Sequence, residues 1–213
     1  MKQLCIFPIP GCVTFPGTVF PLHVFEPRYR SMLQHCLDTG TDLAVCHTEK
    51  KISQGRETDS MEEALKSNRS TYKPYSIVSG GRCELIEVTD DGRMYLNVHV
   101  DSRYRIVSDV QTLPFVISEC EEYPDTEVTD DEHAANLILK DKIMHRLTAL
   151  AKDNQVIPDL LSSDEWRAKA PETFSFELFG LIGFDPEIMQ ELLELPSAHA
   201  RLSMTLDLLN QTI

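Results

Sequence analysis

Residues 15–37 read FPGTVFPLHVFEPRYRSMLQHCL, a turn, a strand and a helix start in one run. Phe15-Pro16-Gly17 is a bend, because proline fixes φ and glycine enters the left-handed region at no steric cost. Val19 to Phe25 is a short apolar strand interrupted by Pro21, which has no N–H to give a ladder and therefore belongs at an edge or a strand end. Glu26-Pro27 opens a helix, since the N–H that proline lacks is one the first helical turn leaves unused. Tyr29, Met32, Leu33, Cys36 and Leu37 follow at i, i+3, i+4, i+7 and i+8, a single face that needs something to pack on.

Working outward, residues 3–9 and 12–15 read as short strands on either side of the Pro10-Gly11 turn. After the helix stop at Asp38-Thr39-Gly40, residues 42–48 (DLAVCHT) have the short apolar form of a buried strand. Residues 49–74 mix both charge signs with little periodicity, apart from one helical turn over Met61 to Leu65, and read as a long exposed excursion. Strand signals then crowd together at 83–89, 94–101, 104–110 and 115–120. Asp90-Asp91-Gly92 marks a hairpin, and Met94, Leu96, Val98 and Val100 alternate onto one face. This half is a β-structure of five to seven strands with one main helix.

Eight acidic residues and no basic one lie between Glu119 and Glu132, with Pro124 among them, a solvated boundary between residues 1–123 and 124–213. Beyond it the period becomes helical. Thr129 with Glu132 forms a capping box, and Leu139, Ile143, Leu147 and Leu150 make a stripe. A break at Asp153 to Pro158 precedes two shorter helices opened by Pro171 and by Asp185-Pro186. Ser197 caps a last helix carrying Ala198, Leu202, Leu206 and Leu209. Four amphipathic helices in this length make a bundle, so the fold class is α+β.

The chain of 213 residues is 42% hydrophobic and 25% charged, ordinary for a globular protein long enough to bury a core without metals or disulfides. With 20 Lys plus Arg against 34 Asp plus Glu, the formal charge of -14 repels polyanions and makes nucleic acid a poor partner. No signal-peptide run and no stretch of membrane-spanning length is present, which points to the cytoplasm and to no membrane partner. The cysteines at 5, 12, 36, 46, 83 and 120 form no CxxC pair and sit mostly in apolar runs, so reduced thiols are expected.

The run LCIFPIPGCVTFPGTVFPLHVFEPRYRSML resembles the opening of the Lon N-terminal domain, the substrate-binding part of the ATP-dependent Lon protease, which also occurs free-standing and in cereblon. It joins a proline-rich strand, an FPG turn, a PLHVFE strand and an EPRY helix start in one order. Pro21, Leu22, Phe25, Glu26, Arg28 and Tyr29 carry this motif. Further on, Gly80, Asp91-Gly92-Arg93 and Arg103-Tyr104-Arg105-Ile106 match the family pattern, with Val100 where a glycine is usual. Gln190 to Leu195 and Arg201-Leu202 match its end, with Ala200 in place of an acid. The resemblance implies a PUA-like β-pseudobarrel with one main helix followed by a helical bundle. It also implies partners that are unfolded or degradation-marked polypeptides, with a protease acting beside the module.

Catalytic motifs are missing. None of the nine glycines lies in the GxxxxGK[ST] frame that cradles phosphates, and no Ser-Lys peptidase module is recognisable. His35-Cys36 and Cys46-His47 are the nearest approach to a metal site, but adjacent residues point apart, so the cysteines are expected in the core and the histidines at the surface. Ser79 in IVSGG lacks the first glycine of a nucleophile elbow. Glu26 and Arg28 are read as structural, by helix-dipole and ion-pair arguments. His23, between Leu22 and Val24, is read as a satisfied barrel residue. No cofactor is expected.

Function is therefore sought on a binding surface, where polypeptide recognition needs exposed apolar or aromatic groups. The candidates are Phe15, Pro16, Val19 and Phe20, with Phe174, Phe176 and Phe179 on the helical side, and a groove between barrel and bundle is expected to join them. A strand edge beside Pro21 and the 49–74 excursion are the other candidates. The reading is a non-enzymatic polypeptide-binding module. Its rivals are an enzyme with a site assembled in the cleft and, through the PUA-like fold alone, an RNA-binding protein.

Overall fold

The computed structural model describes residues 1–53, 71–151 and 156–211. The chain divides into two compact units, Met1–Tyr123 with Asp185–Glu187, and Pro124–Phe184 with Ile188–Ile213.

The first unit is built on β1 (Lys2–Pro8), β2 (Val19–Val24), α1 (Pro27–Thr39), β3 (Asp42–Cys46), β4 (Thr48–Ser53), β5 (Thr71–Pro74), β6 (Ile77–Val88), β7 (Met94–Gln111) and β8 (Val116–Glu122). The main sheet runs β2-β7-β6-β3-β1-β8, and β7 also pairs with β8, so five strands close on themselves and β2 is added outside them. Closure depends on the length of β7. Its first half pairs with β2 through Met94–His99 and its second half with β8 through Tyr104–Gln111.

The switch of partner needs a bend, which a register shift supplies where Gly80 and Gly81 oppose Ser102 and Val100. A Cβ on Gly81 would lie 1.8 Å from the His99 carbonyl oxygen, so only glycine fits there. The sequence suggests two strands over 94–110. The structure has one, because the kink is taken up by this bulge without ending the ladder. Val100 sits comfortably in place of glycine: its N–H donates to the Thr18 carbonyl at 3.0 Å and its carbonyl accepts from Gly17 N–H at 2.8 Å.

Helix α1 starts at Pro27 and stops at Gly40, which adopts φ 71° and returns its N–H to the Cys36 carbonyl. Its Tyr29, Met32, Leu33 and Cys36 face the core with Cys5, Leu43 and Leu96. Residues 12–15 are not a strand. Thr14 is held by side chains in place of a ladder: its hydroxyl donates to the Val45 carbonyl at 3.0 Å, and Ser79 Oγ donates to the Thr14 carbonyl at 2.5 Å. The two flanks of the 49–74 excursion pair as the β4–β5 ribbon, while the helical turn expected over Met61 to Leu65 lies outside the described residues.

After residue 124 come α2 (Asp130–Leu150), α3 (Val156–Ser162), α4 (Asp164–Ala168), α5 (Pro171–Glu177), a 3-10 turn (Leu178–Gly180), α6 (Pro186–Glu194) and α7 (Ala198–Gln211). This is six helices among the described residues where sequence periodicity suggests four. Helix α4 is too short to show a period, and its start is set by Ser163, whose hydroxyl accepts from Trp166 N–H. The capping box at Thr129 and Glu132 forms in full. Ile143, Leu147, Trp166, Phe174, Leu178 and Leu202 make the core of the second unit, with Trp166 edge-on to Phe174 at 5.8 Å. Among the described residues no helix is long and apolar enough to cross a membrane.

Candidate functional site

The last turn of sequence in β6, Arg82-Cys83-Glu84-Leu85-Ile86-Glu87-Val88, departs from strict alternation at Leu85-Ile86. Register explains why. Cys83, Leu85 and Val88 pair with Val98, Leu96 and Met94, all inward-facing, and a shift between Leu85 and Glu87 leaves Ile86 as the extra residue of a bulge. Among the described residues strand β6 meets β3 only through Ser79–Gly81, so from Arg82 to Val88 its ladder there runs to β7 alone. Leu85, Ile86 and Val88 in this stretch are 41%, 58% and 54% exposed. Three large apolar side chains in four residues, on a stretch with one described ladder partner, form the densest run of exposed large hydrophobics among the described residues.

Beside this stretch lies a groove of about 390 Å³ between helix and hairpin. Pro27, Arg30, Ser31 and Gln34, spaced along one side of α1, form one wall, and Val88, Gly92 and Met94 form the other. Arg30 Nη1 donates to the Gly92 carbonyl at 3.2 Å, tying the helix to the hairpin turn. Gly92 has φ 82° there, as a tight turn demands. The turn is locked by Asp91, whose carboxylate accepts from the Thr89 hydroxyl and from Arg93. Those bonds hold its pKa down at about 2. Asp91 is thus charged and already paired beside the groove.

On the other flank of this hairpin, β2 ends the sheet. Thr18 and Val100 are hydrogen-bonded, so by parity Phe20, Leu22 and Val24 direct their backbone groups at β7, and Val19, Pro21 and His23 direct theirs outward. Pro21 removes the middle donor from that edge, which blunts it against strand addition. His23 is exposed on β2 and stacks on Tyr95 at 4.4 Å.

The residues singled out from sequence divide sharply. Val19 is exposed and Pro16 and Phe20 are half-buried, but Phe15 is core at 1% exposure. Phe174 and Phe179 are core as well, and Phe176 lies half-buried under the Arg201 guanidinium, 3.6 Å from its ring centre. Phe15 to Phe20 belong to the first unit and Phe174 to Phe179 to the second. Buried rings offer no surface to a partner. The family motif is packing: Leu22 and Tyr29 are core, Phe25 is half-buried, Pro21 lies on the terminal strand, and Arg28 pairs with Glu26 at 3.2 Å while covering the Tyr29 ring.

The serine and most of the cysteines singled out in the sequence are interior. Ser79 is fully buried and its hydroxyl bonds to Thr14. Burial pushes the thiols of Cys12 and Cys120 up to about 11, and that of Cys46 upward too, which keeps them protonated. His47 is buried rather than superficial, because its Nδ1 accepts the Gly11 N–H at 2.9 Å and its ring lies on Tyr75. Among the described residues no group of three His, Cys, Asp or Glu side chains could hold a metal ion.

The described residues thus form a closed five-stranded β-barrel with a covering helix, and a run of helices follows it. Residues 3–211 match the profile of the ATP-dependent protease La (LON) substrate-binding domain, and the chain belongs to that family. The fold agrees with two solved structures. The N-terminal domain of Mycobacterium avium complex Lon protease is similar at TM-score 0.71 and 15% identity, with all of both chains covered. The Lon N-terminal domain protein from Xanthomonas campestris is similar at TM-score 0.59 and 19% identity, with 97% of this chain and 98% of that one covered.

Proposed function

We propose that this chain is a non-enzymatic module that binds unfolded or degradation-marked polypeptides through the edge of β6 and the adjoining groove. The observation that carries the reading is the run Leu85, Ile86, Val88, exposed on a stretch of β6 whose ladder, among the described residues, reaches only β7. An extended segment laid along this edge gains backbone hydrogen bonds whatever its sequence, while the apolar side chains supply contact area. That combination suits a receptor for many unfolded chains, and membership of a substrate-binding family supports it.

Fluorescence anisotropy with a labelled, permanently unfolded polypeptide tests the reading, with the same polypeptide in folded form as control. Saturable binding of the unfolded form that survives high salt is expected, together with its loss in the double variant Ile86→Asp, Val88→Asp. No binding up to about 1 mM would reject it, since less than about 4 kcal/mol of affinity would then remain.

A further inference from the structure

We infer that Cys36 and Cys83 form a reversible disulfide under hydrogen peroxide, tying α1 to β6. The topology collects three cysteines on one inner face. Cys5 on β1, Leu43 on β3 and Gly81 on β6 are register partners, so they lie side by side. Cys83 is two residues beyond Gly81 and therefore shares its face, where it opposes the buried Val98. Helix α1 turns Cys36 onto the same face, and the Cys36 thiol hydrogen-bonds with the thiols of both Cys5 and Cys83. The backbones of α1 and β6 come within 8 Å, Cα to Cα, near the upper reach of a disulfide at about 7 Å. Cys46 and Cys120 are placed differently: their thiols donate to the Phe7 and Ser118 carbonyls, each at 3.7 Å.

Access and acidity set the order of the steps. Cys5 and Cys36 are buried, whereas Cys83 is partly exposed, so an oxidant from solvent meets Cys83 first. Hydrogen bonds to Cys5 and Cys83, together with burial, push the Cys36 thiol far above its ordinary value, which makes it a poor first nucleophile. The Cys83 sulfur attacks the peroxide O–O bond and becomes a sulfenic acid, its proton leaving with the displaced hydroxide as water. The Cys36 sulfur then displaces the hydroxyl from Cys83, and its own proton leaves with that hydroxyl as a second water. The S–S bond forms, each sulfur gives up one electron, and the peroxide takes up both. A dithiol reductant reverses the change. The bond fastens α1 to β6 two residues before Leu85, so the state of the thiols is felt at the exposed apolar run. The inference stands apart from the polypeptide-binding reading, because it rests on the placement of the thiols.

The test treats the folded protein with excess hydrogen peroxide, blocks remaining thiols with an alkylating agent, and reads the digest by mass spectrometry before and after dithiothreitol. The expected product is a linked pair of peptides carrying Cys36 and Cys83, two hydrogens lighter than the separate peptides and parted by the reductant. Cys83→Ser should abolish the link and leave Cys36 reduced. Cys36→Ser should also abolish it and leave Cys83 as a sulfenic acid that dimedone traps. Cys83 is partly exposed, so its serine variant is expected to fold, as circular dichroism checks, and it decides the matter if Cys36→Ser does not fold. Cys12→Ser removes the other partly exposed thiol and should leave the yield of the link unchanged. A link that survives in Cys83→Ser, or oxidation of Cys83 with no link to Cys36, overturns the inference. So does a protein whose Cys83 stays reduced under peroxide.

Discussion

Asp125 and Arg201, 76 residues apart, meet in a two-pronged ion pair: Nη1 donates to Oδ1 at 2.8 Å and Nη2 to Oδ2. Arg201 is fully buried, and its guanidinium also donates to Ser175 Oγ and to the Leu195 carbonyl. One side chain on α7 thus gathers the segment before α2, helix α5 and the loop between α6 and α7. Removing one partner of such a pair strands a charge away from water. Asp125→Ala is expected to destabilise the protein by about 3 kcal/mol in urea unfolding, and Arg201→Met with Asp125→Leu together by less than the sum of the singles. Additive losses would show that the pair does not act as a unit.

Gly81 is the residue on which the change of partner along β7 depends. Because a Cβ there meets backbone and not a flexible side chain, the strand itself has to move. Gly81→Ala is expected to cost about 3 kcal/mol, near the upper end for overpacking, and to speed amide exchange at Val98, Val100 and Ser102. An alanine variant with unchanged exchange would mean that the bulge relaxes freely.

Boundaries set by local chemistry were legible in the sequence. Pro27 and Gly40 enclose α1, and Thr129 with Glu132 opens α2, because each signal acts within a turn of the backbone it governs. What escaped depends on distant partners. The burial of His47 comes from the Gly11 N–H, 36 residues away, and continuity of β7 comes from Gly81 across the ladder. Aromatic character alone did not tell surface from core: Phe15 and Phe174 are interior, while the exposed apolar run is aliphatic. Its one sequence signal was the adjacent pair Leu85-Ile86, which breaks the alternation of a strand.

Lys140 closes the end of α4. It is 3% exposed, and its ammonium donates to the carbonyls of Arg167 at 2.8 Å and Lys169 at 2.6 Å. Burial pushes its pKa below the ordinary lysine value. Lys140→Met removes both donors and leaves two carbonyls without them, an expected loss of about 2 kcal/mol by urea unfolding at neutral pH. The folded state holds its proton less tightly than the unfolded one. Stability conferred by the lysine should therefore rise with pH from the lowered folded value toward 10.5, relative to the methionine variant. A gap that does not depend on alkaline pH would show that burial does not shift the group.

The capping box makes a prediction of the same sign in a lower pH window. Glu132 accepts from the Thr129 N–H at 3.1 Å and from its hydroxyl at 3.0 Å, and these bonds hold the carboxyl below its ordinary 4.5. A depressed folded value means that the unfolded chain takes up the proton first as pH falls. The contribution is complete above 4.5 and is lost as pH drops through the folded value. Glu132→Gln keeps an acceptor but has no charge to lose. Thermal melts followed by circular dichroism should show the natural protein more stable than Glu132→Gln at pH 7, with the gap closing in acid. The Gln variant serves as the reference because it shares every other titrating carboxylate, so their contributions cancel in the difference. A gap that is constant from neutral to acid pH would mean that the charge of Glu132 adds nothing to the bonds it accepts.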